Sequence, residues 1–244
     1  MIDPGQVQAV IFDLDDTLRH NDPDGFLHFV ARARQLGLEI SEEQTRAAKR
    51  WAHRYWATSE ELLEDIRRFP EREEDFWLNY GMRQMDALGV QKGLAEQHAP
   101  ALYRHMREEY APENRLMPQA LQTLRILRSA GYLVGLLTNR TRPIYGEMSA
   151  LQLDLDLDFF LAAGQVGAFK PHRALFDQVL DFIDLPAEGV VYVGDNYYAD
   201  VLGAQAAGIQ PVLIDPDGLY PEADCPIIET LPQILNLFEV APVI

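Results

Sequence analysis

Val7-Gln8-Ala9-Val10-Ile11-Phe12-Asp13-Leu14-Asp15-Asp16-Thr17-Leu18 is an apolar run that stops abruptly in a cluster of carboxylates. An unalternating apolar run of strand length reads as a central parallel strand covered on both faces. Carboxylates at its carboxyl end then lie where open α/β sheets keep their ligand crevices. Side chains alternate with period two along a strand, so Asp13 and Asp15 point roughly the same way. That makes them a candidate pair for divided labour, one as nucleophile and the other as proton carrier. The alternative is that Asp-Asp-Thr merely ends a strand and caps a turn, which these residues also favour.

The rest of the chain supplies the context. Arg19 to Gly25 is a polar link punctuated by Pro23 and Gly25. From Phe26 to about Pro112 the pattern is helical throughout, with Ser41-Glu42-Glu43-Gln44 resembling a capping box and Ser59 opening another helix. No strand is expected there. From Glu113 onward helices alternate with short apolar strands. Helices are expected over Pro118–Ala130, Ile144–Ala150, His172–Phe182, Asp200–Ala207 and Leu231–Phe238. Strands are expected over Tyr132–Leu137, Phe159–Ala162 and Val190–Val193, with edge strands over Gln210–Ile214 and Pro226–Ile228. Such alternation predicts an α/β protein with a doubly wound parallel sheet, residues 1–20 and 113–244 forming the core and 21–112 an inserted all-α domain.

With 244 residues the chain can bury a sizeable core. No stretch is apolar for long enough to span a bilayer, and no signal-peptide pattern opens the chain, so a soluble, cytoplasmic protein without a membrane partner is expected. Cys225 is the single cysteine, which excludes an intrachain disulfide framework and a multi-cysteine zinc site. The six histidines show no ligand spacing. A formal net charge of −17 repels a nucleic-acid backbone, so no nucleic acid polymer is expected as partner. The same charge disfavours an anionic small substrate unless a local cation reverses the field. Nothing in the sequence specifies an oligomeric state.

Three expected strand ends carry polar residues: Asp13/Asp15, Thr138/Asn139 and Asp195. All carboxyl ends of a parallel sheet face one way, so these groups can converge. Lys170 lies in a loop before a helix and can join them; its alternative is a solvated loop lysine. Asp200 sits five positions after Asp195, where the alternative is a helix N-cap. In this order, Asp13-Leu14-Asp15-Asp16-Thr17, Thr138, Lys170-Pro171, and Gly194-Asp195 with Asp200 resemble the four motifs of the haloacid dehalogenase-like (HAD) hydrolase superfamily. The helical insertion between the first and second motifs resembles that family's C1 cap, and the resemblance implies a Rossmann-like core.

The resemblance supports Asp13 as the nucleophile that attacks phosphorus and Asp15 as the acid that protonates the leaving alkoxide and then deprotonates the hydrolytic water. Family members acting on carbon–halogen bonds typically lack the second Asp, so Asp15 favours phosphate esters. Four aspartates in one crevice repel one another and a phosphate dianion, which calls for a divalent cation; hard oxygen ligands suit Mg²⁺. By resemblance the metal residues are Asp13, Asp15 through its main-chain oxygen, and Asp195, with Asp200 acting through water or orienting the loop. Thr138, the Asn139 N–H and Lys170 are the expected phosphoryl clamp. Thr17 either bonds back to the motif loop or caps it. Trp51, Tyr55, Trp56, Phe76, Trp77 and Tyr80 either offer a stacking surface or form the core of the insertion. The resulting expectation is a Mg²⁺-dependent phosphatase acting on a small phosphorylated metabolite of the phosphoglycolate, sugar phosphate or nucleoside monophosphate type. A phosphosugar mutase and a noncatalytic phospho-ligand binding module are the alternatives.

Overall fold

The computed structural model describes residues 2, 4–71, 73–238 and 240. By chain contacts it divides into two compact units, one holding the described residues through His20 and from Arg115 onward, the other running Asn21–Asn114.

In chain order, β1 (Ala9–Phe12) and β2 (Arg19–Asp22) precede five helices: α1 (Gly25–Gln35), α2 (Glu42–Trp56), α3 (Glu60–Arg68), α4 (Glu74–Ala87) and α5 (Lys92–Glu108). Then follow β3 (Glu113–Leu116), α6 (Ala120–Ser129), β4 (Leu133–Thr138), α7 (Tyr145–Ala150), β5 (Phe159–Ala162) and α8 (Ala163–Val166). The remaining elements are α9 (Arg173–Ile183), β6 (Val190–Gly194), α10 (Leu202–Ala206), β7 (Gln210–Ile214), β8 (Ile227–Ile228) and α11 (Ile234–Leu237).

Six strands form one parallel sheet in the order β5-β4-β1-β6-β7-β8. The period-two alternation of β1 divides its apolar residues between two cores. Val10 and Phe12 join Val134, Leu136, Val191 and Val193 under Leu124 and Leu127 of α6 and Ile234 of α11. Ala9 and Ile11 join Leu137, Val190 and Tyr192 under Leu175, Phe176 and Val179 of α9. Both faces of β1 are therefore dry, which explains its unbroken apolar run and makes the fold α/β and doubly wound.

The unit Asn21–Asn114 is helical and has cores of its own, one around Phe29, Val30, Met85, Leu88 and Leu102 and another around Tyr55, Leu62 and Phe76. Ser41 caps α2 reciprocally with Gln44, and the Ser59 hydroxyl accepts from the Leu62 N–H at the start of α3.

Several elements differ from the sequence expectation, among them Gln210–Ile214, expected at an edge but lying between β6 and β8. Arg19–Asp22 and Glu113–Leu116, polar stretches without strand patterning, pair as a separate two-stranded sheet. The expected helix Asp200–Ala207 opens earlier, as a π-helical turn over Tyr197–Val201 followed by α10, because Asn196 rather than Asp200 caps it, accepting from the Tyr198 and Ala199 N–H groups. The expected last helix starts as a 3-10 turn, Leu231–Gln233, with Pro232 in its first positions, before α11.

Candidate active site

Adjacent strands β4, β1 and β6 are parallel, so their carboxyl ends lie side by side. Thr138 is the buried last residue of β4, while Asp13 and Asp195 follow directly after β1 and β6. The Asp13 N–H donates to Val193 O at 2.8 Å, which carries the ladder one residue past β1. One ligand oxygen each from Asp13, Asp195 and Asp200 lie within 4.8 Å of one another. Gly194 makes that approach possible, since a Cβ there would stand 2.3 Å from Asp200 Oδ2.

Lys170 enters this cluster from the loop before α9 and is 2 % exposed, so the solvated-lysine alternative does not hold. Its Nζ donates to Asp13 Oδ1 at 2.7 Å, Asp200 Oδ1 at 2.7 Å and Tyr192 Oη at 2.9 Å, and Tyr192 in turn donates to Leu137 O. The Asn139 side chain clamps the lysine's main chain from both sides: Lys170 N–H donates to its Oδ1 at 2.7 Å and its Nδ2 donates to Lys170 O at 3.0 Å. Asp200 has both oxygens engaged, Oδ1 by Lys170 and Oδ2 by the Asn196 N–H at 2.9 Å. That carboxylate orients the loop after β6, which is not the N-cap role. Thr17 Oγ1 lies 3.4 Å from Asp195 Oδ1, a long contact back toward the metal-type acids.

Burial is the main force on the acids. It pushes the Asp13 carboxyl up to about 7, with Asp200 and Asp15 adding like-charge repulsion and Lys170 opposing both. Asp195 is raised well above the ordinary carboxylate range, first by burial and then by Asp16, Asp200 and Asp13. Lys170 is held charged above its usual range because Asp13 and Asp200 outweigh its own burial. Three acids facing one ammonium, two of them disfavoured as anions, are a donor set that fits a small hard divalent cation.

Asp15 does not turn into this cluster. Its carboxylate is held bidentately by Arg140, Nε to Oδ2 and Nη2 to Oδ1, both at 2.7 Å, and is paired with Arg19 as well. Both guanidiniums also approach Glu147, Arg19 Nε at 3.5 Å and Arg140 Nη2 at 3.7 Å. Sequence reasoning missed Arg140, Arg19, Tyr192 and the Asn139 side chain. Arg140 follows directly on Thr138-Asn139, which was the one local signal available. Tyr197 and Tyr198, beside the acids in sequence, pack with Tyr220 in an aromatic cluster. No helix among the described residues is long and apolar enough to cross a membrane.

Acids and a buried lysine gathered beyond the carboxyl ends of central parallel strands define a doubly wound α/β enzyme. A family model for haloacid dehalogenase-like hydrolases matches residues 7–208, and the chain belongs to that hydrolase family. Among curated proteins it is 29% identical over 212 residues to ribulose-1,5-bisphosphate 5-phosphatase of Halopiger xanaduensis, covering 85% of this chain and 84% of that protein. It is also 29% identical over 244 residues to glyceraldehyde 3-phosphate phosphatase of Pyrococcus furiosus, covering 96% and 94%. Among solved structures, 2-haloacid dehalogenase from Pseudomonas syringae superposes with a TM-score of 0.55 at 26% identity, covering 96% of this chain and 98% of that one.

Proposed function

We propose that the protein is a Mg²⁺-dependent phosphatase that hydrolyses a small phosphate monoester through an aspartyl-phosphate on Asp13. The observation that carries this reading is the buried Lys170 ammonium bridging Asp13 and Asp200 inside a cluster of three carboxylates. It supports a site built to hold an anionic nucleophile beside an anionic phosphoryl group. Asp13 Oδ2, the oxygen not facing Lys170, attacks phosphorus, the ester P–O bond breaks, and Asp15 supplies the proton to the departing alkoxide. Water then attacks the phosphorus of the aspartyl-phosphate, gives its proton to Asp15, and the Asp13–phosphoryl bond breaks to release inorganic phosphate. The Thr138 hydroxyl and Asn139 N–H hold the phosphoryl oxygens, with Lys170 balancing their charge.

Asp13, the Asp15 main-chain oxygen and Asp195 would hold Mg²⁺, with Asp200 orienting its loop. When bound, the ion supplies positive charge that favours the Asp13 carboxylate and offsets the phosphoryl charge. The nucleophile must be an anion, and burial with the repulsion of Asp200 and Asp15 holds the Asp13 carboxyl up at about 7 against the opposing Lys170, so added positive charge from a cation favours the form that attacks.

The second carboxylate, Asp15, favours phosphate ester over carbon–halogen cleavage, in line with the phosphatase names of the two curated relatives. We read the unit Asn21–Asn114 as a cap that selects the leaving group among the small phosphorylated metabolites of a cytoplasm. The test is phosphate release from a panel of phosphorylated metabolites and from p-nitrophenyl phosphate, with and without Mg²⁺. Native protein should turn over at least one of them and stop in excess EDTA. Asp13→Asn should fold and lose hydrolysis by about 10³-fold or more. Unchanged turnover in that variant would remove Asp13 as nucleophile, and phosphoryl return to sugar without phosphate release would favour the mutase.

A further inference from the structure

The first and last helices of the unit Asn21–Asn114 meet at two histidines that none of the four motifs explains. His28 of α1 and His105 of α5 are 77 residues apart in sequence, yet their Nε2 atoms lie 2.9 Å from each other. The ring planes differ by 6° while the centroids are 5.0 Å apart, so the imidazoles meet at their Nε2 edges and do not lie face to face. At that separation one Nε2 donates and the other accepts. His105 Nδ1 lies 3.0 Å from Glu109 Oε2, which favours a proton on Nδ1 and leaves His105 Nε2 as the acceptor for His28 Nε2–H. Beside them the Tyr110 ring sits 5.0 Å from the His28 ring, and its hydroxyl donates to Pro23 O at 3.0 Å. Gly25 leaves room for that hydroxyl, since a Cβ there would stand 3.0 Å from Tyr110 Oη.

The number of protons decides whether such a bond can exist. With both rings neutral, one N–H bridges the two Nε2 atoms. One added proton makes an imidazolium, which carries N–H at both nitrogens and still donates to the neutral ring opposite. A second added proton leaves N–H on both facing nitrogens. The acceptor is then gone, and two positive charges face each other across 2.9 Å in a part-buried place. The surrounding charges do not offset both. Glu109 can balance one imidazolium, and at 66% side-chain exposure it is screened by water. The Asp24 carboxylate before α1 accepts from the Leu27 N–H at 2.6 Å, and Arg32 of α1 donates to Gln35. On α5, Arg104 and Glu108 are exposed, while Arg107 donates to Tyr103 and approaches Glu74 of α4 at 4.0 Å. Glu73, just before α4, is exposed as well. Tyr110 gains no charge in acid.

We propose that the His28–His105 pair is an acid-operated latch, which ties α1 to α5 while the two rings hold at most one added proton and lets go when both are charged. The contact is therefore present at neutral pH and lost as acid charges the second ring. Because α1 opens the helical unit and α5 ends it, the latch joins the unit's two ends. The proposal does not depend on the phosphatase reading, since every group in it lies within that unit.

Hydrogen–deuterium exchange on the full chain, at about pH 7 and about pH 5 and corrected for the intrinsic pH dependence of exchange, tests it. Peptides over residues 24–30 and 102–110 should lose protection by about tenfold or more at the lower pH, while α2 changes by less than about twofold. His28→Gln places opposite His105 a neutral amide that donates to a neutral ring and accepts from a charged one, so its helix ends should be equally protected at both pH values. His105→Gln makes the same test from the other side if the first variant fails to fold. Should neither fold, the contrast between the helix ends and α2 in native protein decides it. Unchanged protection of the native helix ends, a loss of equal size in α2, or a loss that survives in a folded Gln variant would each overturn the proposal.

Discussion

With Nζ against Asp13, Asp200 and Tyr192, Lys170 has all three of its ammonium donors engaged, and no slack remains in its position. Lys170→Met keeps the volume but leaves buried acids facing one another. Removing one partner of a buried ion pair costs about 3–5 kcal/mol, so metal-free protein should lose most of its margin in a denaturant melt, and hydrolysis should vanish. A melt within about 1 kcal/mol of the native one would show the ammonium to be dispensable to the cluster. Asp13 sets a pH dependence of its own. Its carboxyl is pushed up to about 7 from 3.8. The unfolded chain therefore releases this proton near pH 4 while the folded protein keeps it until about 7. This contribution to metal-free stability is present at low pH and is lost as pH rises through that window. A cation must displace the same proton below pH 7, so the gain in Tm from Mg²⁺ should be larger at about pH 8 than at about pH 5. Equal gains would take Asp13 out of the cation-binding set. Much of this site was legible, because Asp13, Thr138, Lys170 and Asp195 each stand at a strand end or helix start marked by local pattern. Arg140 was not, since its pairing partner lies 125 residues away and no periodicity encodes such a contact. The Arg140–Asp15 pair carries its own expectation. Arg140 holds the carboxylate proposed to deliver the proton, so Arg140→Ala should lower kcat by about tenfold or more while leaving Tm nearly unchanged at this half-exposed pair. Unaltered kcat would leave Arg140 without a positioning role.

Three helices of the Asn21–Asn114 unit meet at one buried acid. Asp65 of α3 is 1% exposed, accepts from the Tyr55 hydroxyl of α2 at 2.9 Å, and accepts from Arg83 Nη2 of α4 at 2.9 Å. Asp65 raises the Arg83 guanidinium above its ordinary range, and burial with the same carboxylate raises the Tyr55 phenol. Arg83→Ala strips the charge partner and leaves a buried carboxylate with one neutral donor, at a cost of about 3 kcal/mol. Asp65→Asn with Arg83→Met together should cost less than Arg83→Ala alone, because the uncompensated charge is gone. Chemical denaturation of the two variants checks the order, and the reverse order would mean that the acid is not what ties the helices together. Elements of this unit were readable at their starts, Ser41 and Ser59 being caps whose side chains bond within three residues. Asp65 was not readable as a buried acid, because its neighbours Glu60, Glu61 and Glu64 make the stretch look like a solvated face. The pair of polar strands was equally hidden: Arg19-His20-Asn21-Asp22 and Glu113-Asn114-Arg115-Leu116 show no alternation of apolar residues, the only mark a short strand leaves in sequence.

Over the whole molecule, 38 acidic residues face 21 lysines and arginines, a net −17 that a phosphate ester must approach. Apolar runs showed where the core strands lie but not which are neighbours, since the pattern records burial and not pairing. Only the order β5-β4-β1-β6 brings Thr138, Asp13 and Asp195 onto adjacent strand ends, concentrating acid where the substrate arrives. Arg19, Arg140 and Lys170 are each paired with carboxylates there, which mutes their reach toward solvent. The long-range field should therefore repel a dianionic substrate, and salt should screen that repulsion. At saturating Mg²⁺, kcat/KM for a phosphate monoester is expected to rise about twofold or more from about 20 to about 200 mM monovalent salt, with kcat nearly constant. A fall over the same range would mean that local cations dominate the approach. The attraction would then arise from the arginine pair beside Asp15, and the overall acidity would not govern the substrate's approach.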